Sequence, residues 1–239
     1  MNALSDLYVA VRQKEGRLYT DEVVAGLPHV GPEHPHHVEW LARRASAKRL
    51  LAYFDRCAKP LRMLDLGCGN GWLSATLGQL PGVRVLGLDT NLVELAQGAR
   101  VFGAVEGAGF LAADVFHAPF REAEFAAVVM ASSVQYFDDL PRLLLALQPL
   151  LTPAGEVHII DSPFYEEEDV DAARRRTEAY YVELGFPEMA ARYHHHAWSE
   201  LAGFAVTLLH NPSTFGAKFQ RRLGMADSPF PWLRVKFPR

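Results

Sequence analysis

Three glycines alternate in Leu64-Asp65-Leu66-Gly67-Cys68-Gly69-Asn70-Gly71-Trp72, after an apolar run that ends in an acid. Glycine lets the backbone take positive φ and approach a ligand closely. A helix opening just after such a turn aims its unpaired N–H groups at the same point. The chemistry implied is the cradling of a nucleotide-like ligand. Asp89 closes a second apolar run about 20 residues beyond the turn, where a carboxylate accepts hydrogen bonds from ribose hydroxyls. Asp114 follows a third run. A carboxylate there accepts an exocyclic amine while a neighbouring N–H, such as that of Val115, meets a ring nitrogen. Asp65 either accepts from the ligand or holds the glycine loop. One strand-end acid is as readily a turn former or helix cap; three on successive strands beside a glycine loop make a site.

Other side chains of chemical interest are clustered. His34, His36 and His37 crowd one loop, and His194, His195 and His196 are consecutive. On a helix, three consecutive residues point about 100° apart, so the second run alone does not make a three-histidine metal site. No metal is expected. If the reaction removes a proton, a histidine is the usual base, and His195 is the candidate. Tyr136 and Asp161 are the other catalytic candidates, each just past an apolar run.

The elements that must position these residues alternate. Apolar runs at 61–66, 83–88, 110–113, 125–131 and 156–160 predict strands, and 72–80, 92–102 and 139–151 predict helices. The near-continuous run at 125–131 predicts a central strand covered on both faces. Helices are expected at 167–184 and 187–201, then two late strands at 205–209 and 232–237. This order predicts an α/β, doubly wound, Rossmann-like, mostly parallel sheet with an antiparallel pair at one edge. Residues 1–60 predict helices only, the longest at 38–58. Asp21 is expected to cap a short helix there. Trp40, Arg43 and Arg44 begin the long helix that would lid the site.

In such a sheet, ligands bind beyond the carboxyl ends of the strands. That rule selects Asp65 with Gly67, Cys68, Gly69, Asn70 and Gly71; then Asp89, Thr90 and Asn91; then Asp114 and Val115; then Ala131, Ser132, Gln135 and Tyr136; then Asp161.

Composition sets bounds. The 239 residues are 49% hydrophobic and 22% charged, as in ordinary globular proteins. The net charge of -4 gives no general attraction to nucleic acid. The arginines at 174–176 and 221–222 read as solvated helix faces. Two cysteines make no disulfide framework. No leader peptide or membrane-length apolar run is seen, so a cytoplasmic location is expected.

A GxGxxG dinucleotide turn read from Gly67 fails at Trp72; read from Gly69 it meets the small Ser74, so the glycines alone leave a nicotinamide cofactor open. The Asp-x-Gly-x-Gly-x-Gly form favours another reading. Residues 64–71 resemble the first motif of the class I S-adenosylmethionine-dependent methyltransferases. Leu88-Asp89 is similar to their ribose-binding acid, Ala113-Asp114-Val115 to their adenine motif, residues 125–136 to their fourth motif, and Pro153-Ala154-Gly155 to the turn before their fifth strand. The resemblance covers roughly residues 61–209. It implies a seven-stranded sheet with an antiparallel last strand and S-adenosylmethionine as cofactor. It implies methyl transfer by in-line attack, without a covalent enzyme nucleophile. Residues 1–60 are then a helical cap and 61–239 the cofactor-binding domain, with a substrate-side insertion near 210–231. Ala131-Ser132-Ser133-Val134-Gln135-Tyr136-Phe137 suits a small-molecule pocket better than a flipped base, so an oxygen or nitrogen of a small molecule is the expected acceptor. The alternatives are a nicotinamide-dependent oxidoreductase, whose Tyr-x-x-x-Lys is not found, and a non-catalytic cofactor-binding module. Aromatic residues Phe215, Phe219, Phe230 and Trp232 suit substrate walls or core.

Overall fold

A computed structural model describes residues 3–216, 222 and 226–237. Phe219 and Arg221 lie outside the described residues. Seven strands form one sheet in the order β3-β2-β1-β4-β5-β7-β6. They are β1 (Leu61–Leu66), β2 (Val83–Asp89), β3 (Ala108–Ala112), β4 (Phe125–Ala131), β5 (Leu151–Ile160), β6 (Ala205–His210) and β7 (Trp232–Lys236). β1 to β5 pair in parallel, and β7 runs antiparallel between β5 and β6. The expected seven-stranded α/β sheet is therefore present. β7 is interior, and β6 is the edge strand on the antiparallel side. The chain order reverses at β1, between β2 and β4, which puts the switch point at the glycine turn.

The helices are α1 (Ala3–Lys14), α2 (Asp21–Gly26), α3 (His37–Asp55), α4 (Trp72–Gly78), α5 (Leu92–Phe102), α6 (Leu140–Leu147) and α7 (Glu167–Leu184). Side-chain caps fix several starts. Asn91 accepts from the N–H groups of Val93 and Glu94, and Asp139 from that of Arg142. Thr20 caps α2, accepting from Val23 N–H; Asp21, the expected cap, is its first helical residue. The helix expected at 187–201 does not form. Two short 3-10 segments, Pro187–Arg192 and Trp198–Leu201, flank a non-helical stretch that holds His194, His195 and His196. β5 starts at Leu151, five residues before the expected strand, because a register shift between Phe125 and Ala127 absorbs the Pro153-Ala154-Gly155 turn.

The central strands are buried on both faces. Leu64, Leu66, Val128, Met130, Val157 and Ile159 pack on one side with Leu140, Leu143, Leu144 and Leu147 of α6. Met63, Ala127, Val129 and Ile160 face the other side, against Trp40, Leu50 and Phe54 of α3 and Trp72, Leu73 and Leu77 of α4. The α3 helix thus shares the core of the sheet. A smaller cluster joins Val11 of α1 to Tyr181 of α7 and Met189. That cluster fastens the first helix over the carboxyl end of the sheet.

Candidate active site

The glycine turn is built by backbone geometry. Gly67, Gly69 and Gly71 have φ of 75°, 53° and 74°, in the left-handed region that disfavours side chains. At Gly67 a Cβ would also lie 2.5 Å from Ser133 Cβ, and at Gly71 one would lie 2.2 Å from the Phe110 ring. Ser133 sits that close because its Oγ donates to Leu66 O at 2.6 Å. Asp65 is fully buried, and Ser74 Oγ donates to its Oδ2 at 2.6 Å. It ties β1 to α4 and holds the loop. Burial pushes its pKa up to about 7, with the Ser74 hydroxyl opposing.

Asp89 binds the turn from β2. Its Oδ2 accepts from Gly69 N–H and its Oδ1 from Asn91 N–H, both at 2.8 Å. Burial raises its pKa, and those N–H groups work against the rise. Asn91 is buried as a cap and donates to Glu94 Oε2 at 2.9 Å. Thr90 is exposed. Asp114 is half-exposed and engaged in its own loop, accepting from Phe116 N–H and pairing with His117 Nδ1 at 2.8 Å. Val115 is part of the core.

A cavity of about 720 Å³ opens at the carboxyl ends of β1, β4 and β5. Gly67, Cys68, Gly69, Asn70, Ala131, Ser132, Gln135, Tyr136 and Asp161 all line it. Asp65, Gly71, Asp89, Thr90, Asn91, Asp114 and Val115 stand behind or beside that wall. Two of the lining residues are strained. Ser132 (φ 54°) and Asp161 (φ 53°) are non-glycine residues in the left-handed region, at the ends of neighbouring strands. Ser132 N–H donates to Ile160 O, and Ser132 Oγ donates to Asp161 O at 2.8 Å. Such strain persists where the surrounding structure over-determines it, commonly at ligand sites. Asp161 Oδ1 accepts from Ser46 at 2.6 Å and from Ser228 at 2.8 Å. Burial raises its pKa, against Arg43 and those two hydroxyls.

The far wall comes from residues not identified in the sequence. Tyr8, Val11 and Arg12 of α1 and Glu15 just after it recur at i, i+3, i+4 and i+7, and all four line the cavity. Ala173, Arg176, Thr177, Tyr180 and Tyr181 do the same along α7. This is one helix face in each case, but its mixture of tyrosine, arginine and small residues gives no hydrophobic stripe to notice. Seven of the eight tyrosines line the cavity; Tyr53 does not. Tyr8 packs edge-on to Tyr136 at 5.5 Å, and Tyr136 to Tyr193 at 6.0 Å. The Arg174–Arg176 cluster is therefore more than a solvated face, since Arg176 borders the cavity. Arg43 is also drawn in, with its guanidinium paired to Glu39 at 2.9 Å. Arg44 does not line the cavity.

His195 does not line this cavity either. It borders a second one of about 700 Å³ with His194 and His196. The rings of Tyr165 and Tyr193 lie 5.6 and 5.3 Å from it, and its Nε2 is 2.9 Å from Thr177 Oγ1. Burial lowers its pKa, with Arg174 and Arg176 adding to the effect. His196 is fully engaged, with Glu200 at Nδ1 and Val134 O at Nε2. Among the described residues no group of histidines, cysteines and acids has metal-holding geometry.

Residues 64–159 match the family model of a methyltransferase domain. A sterol 24-C-methyltransferase of Yarrowia lipolytica is 24% identical over 198 residues, covering 80% of this chain and 49% of that protein. A 2-phytyl-1,4-naphtoquinone methyltransferase of Nostoc punctiforme is 28% identical over 149 residues, covering 59% and 65%. The chain thus spans about half the length of the first relative and less than two thirds of the second. Among solved structures, the geranyl diphosphate C-methyltransferase of Streptomyces coelicolor, bound to S-adenosyl-L-homocysteine, shares the fold. Its TM-score is 0.59 at 16% identity, over 98% of this chain and 97% of that one. The glycine turn, strand-end acids and sheet order thus belong to a chain whose residues 64–159 match a methyltransferase domain and whose fold is shared with solved methyltransferases.

Proposed function

We propose that this protein transfers the methyl group of S-adenosylmethionine to an oxygen or nitrogen of a small-molecule acceptor. One observation carries the reading: a single cavity begins at the glycine turn and ends among tyrosines. Its volume is in the usual range for small-molecule sites. When bound, S-adenosylmethionine supplies an electrophilic methyl group on a cationic sulfur.

The residues present fit that group. Gly67 and Gly69 let backbone approach it, and Asp89 keeps acceptor lone pairs beyond the two N–H groups it already holds. Arg12 Nε is buried without a hydrogen-bond partner on the cavity wall. It stands on the same side as Glu94, which borders Gly69. A buried donor left unpaired costs about 1–3 kcal/mol, so a carboxylate-bearing cofactor satisfies a need already built in. Asp114 and Val115 are assigned to the adenine on resemblance alone.

The chain's part in transfer is orientation and exclusion of water. Tyr136 is a neutral phenol, its pKa raised by burial, and serves as a hydrogen-bond donor beside the acceptor. Asp161 braces the floor between β4 and β5. His195 communicates with the cavity through the Thr177 hydroxyl and the rings of Tyr165 and Tyr193. Its neutral ring accepts a proton at Nε2 when the acceptor loses one. The small-molecule assignment is supported by relatives named for sterol and quinone methylation. The oxygen or nitrogen assignment is supported by the hydroxyl-rich wall. The two free cysteines suit a reducing cytoplasm, and no helix of the described residues is long and apolar enough to cross a membrane.

Calorimetric titration tests the reading. S-adenosylhomocysteine is expected to bind and the nicotinamide dinucleotide is not; the reverse result overturns it. Asp89→Ala should weaken S-adenosylhomocysteine by about tenfold or more, as for a lost charge-assisted hydrogen bond. An unchanged affinity removes Asp89 from the site.

A further inference from the structure

We infer that the acceptor is a planar hydroxyaryl carboxylate, held with its ring among Tyr136, Tyr165 and Tyr193 and its carboxylate on Arg176. This inference rests on the methyltransferase reading above and names the substrate class of the same cavity.

Beside Arg176 the charge pattern disfavours a cationic acceptor. Each carboxylate on the cavity wall already has partners. Glu39 is bridged by Arg17 at 2.7 Å and Arg43 at 2.9 Å. Glu15 accepts from Tyr180 Oη at 2.5 Å and lies 3.4 Å from Arg17. Asp161 is held by two serines, and Glu94 accepts from Asn91. A resident cation also sits on the aromatic wall already, since the Arg12 guanidinium lies 5.6 Å from the Tyr8 ring centroid.

Donors, by contrast, remain in excess at both ends. Arg12 has its unpaired Nε at the glycine end, where the cofactor's own carboxylate answers it. Arg176 projects from α7 at the opposite end, beside Tyr165 and His195, whose electrostatics it influences. Among the described residues its guanidinium makes no hydrogen bond or ion pair. A guanidinium recognises a carboxylate through its planar fork, so this end of the cavity is suited to a second anion.

The walls between the two ends determine the shape. Tyr136 and Tyr193 meet nearly at right angles, 80° between planes. Tyr165 flanks His195 on the same side. Such rings offer faces and edges to a flat aromatic partner at favourable centroid distances. Their hydroxyls, with the arginines, make the wall too polar for a long aliphatic chain.

The test is calorimetry on the protein saturated with S-adenosylhomocysteine. The probes are 4-hydroxybenzoate, tyramine, which exchanges the anion for a cation, and 4-hydroxycyclohexanecarboxylate, which removes the flat ring. 4-Hydroxybenzoate is expected to bind at least about tenfold more tightly than either. Arg176→Leu should cost 4-hydroxybenzoate about tenfold while leaving S-adenosylhomocysteine within about twofold, and the neighbouring Arg175→Leu should change neither. Arg176 is exposed, so the variant is expected to fold. The inference is overturned if tyramine or the saturated acid binds as well as the aryl acid. It is equally overturned if no probe binds to the S-adenosylhomocysteine complex, or if Arg176→Leu is silent. If S-adenosylhomocysteine itself does not bind, the methyltransferase reading fails and this inference falls with it.

Discussion

The two walls of the cavity are made differently. The glycine wall is backbone, tied down by hydrogen bonds from Ser74 to Asp65, Gly69 to Asp89 and, across the sheet from β4, Ser133 to Leu66. The tyrosine wall is side chain, assembled from α1, the end of β4, the β5–α7 connection, α7 and the stretch after it. A small cluster around Val11, Tyr181 and Met189, with hydrogen bonds such as Tyr180 to Glu15, binds these pieces together. A wall of strained, tightly tied backbone preserves one ligand geometry. A wall of side chains on separate elements admits different occupants and is expected to open more easily. Under the proposed function, the contrast corresponds to a shared donor at one end and a particular acceptor at the other.

The sharpest test of this contrast is Gly67→Ala. Left-handed φ and a Cβ 2.5 Å from Ser133 Cβ together should cost roughly 3–5 kcal/mol of global stability in urea denaturation. A loss below about 1 kcal/mol would show that the turn yields and the glycine wall is not rigid.

Asp65→Asn addresses the same wall through pH. The folded pKa of about 7 lies above the 3.8 of an ordinary aspartate, so the folded state binds the proton more tightly. The contribution is fully present below about pH 4 and is lost as pH rises to about 7, on the order of 2–4 kcal/mol. Asparagine can still accept from Ser74 and never ionises. The variant should therefore lack this slope and exceed the parent in stability at pH 8. Parallel pH profiles would show that Asp65 does not titrate as described.

Met189→Ala examines the tyrosine wall. Emptying a fully buried methionine site should cost roughly 2–3 kcal/mol. Hydrogen exchange should accelerate in α1 and α7 while β1 and β4 keep their protection. Uniform acceleration would mean the two walls open as one. Smallest in effect is Tyr180→Phe, which removes the hydrogen bond to Glu15 from a partly exposed site. Thermal unfolding should register below about 1 kcal/mol.

Much of the fold was legible because it is written locally. The 125–131 run is β4 to the residue, and its burial on both faces follows from continuous apolar character. The glycine turn also followed from neighbouring residues. The stretch 187–201 was misread as one helix because its composition permits helix. Tertiary bonds decide otherwise: His194 N–H donates to Gln135 O and Tyr165 N–H to His196 O, holding the segment extended.

The sequence by itself determined where the glycine turn lies on the sheet, because a turn through alternating glycines between strand and helix needs only adjacent residues. Tertiary structure alone decided what faces that turn. Tyr8, Arg12, Arg176 and Tyr193 converge from opposite ends of the chain. His195 is held behind Tyr193 and joined to the cavity through Thr177. Contacts across such separations depend on how helices pack over the strand ends, and mixed polar faces carry no periodic signal to foretell it.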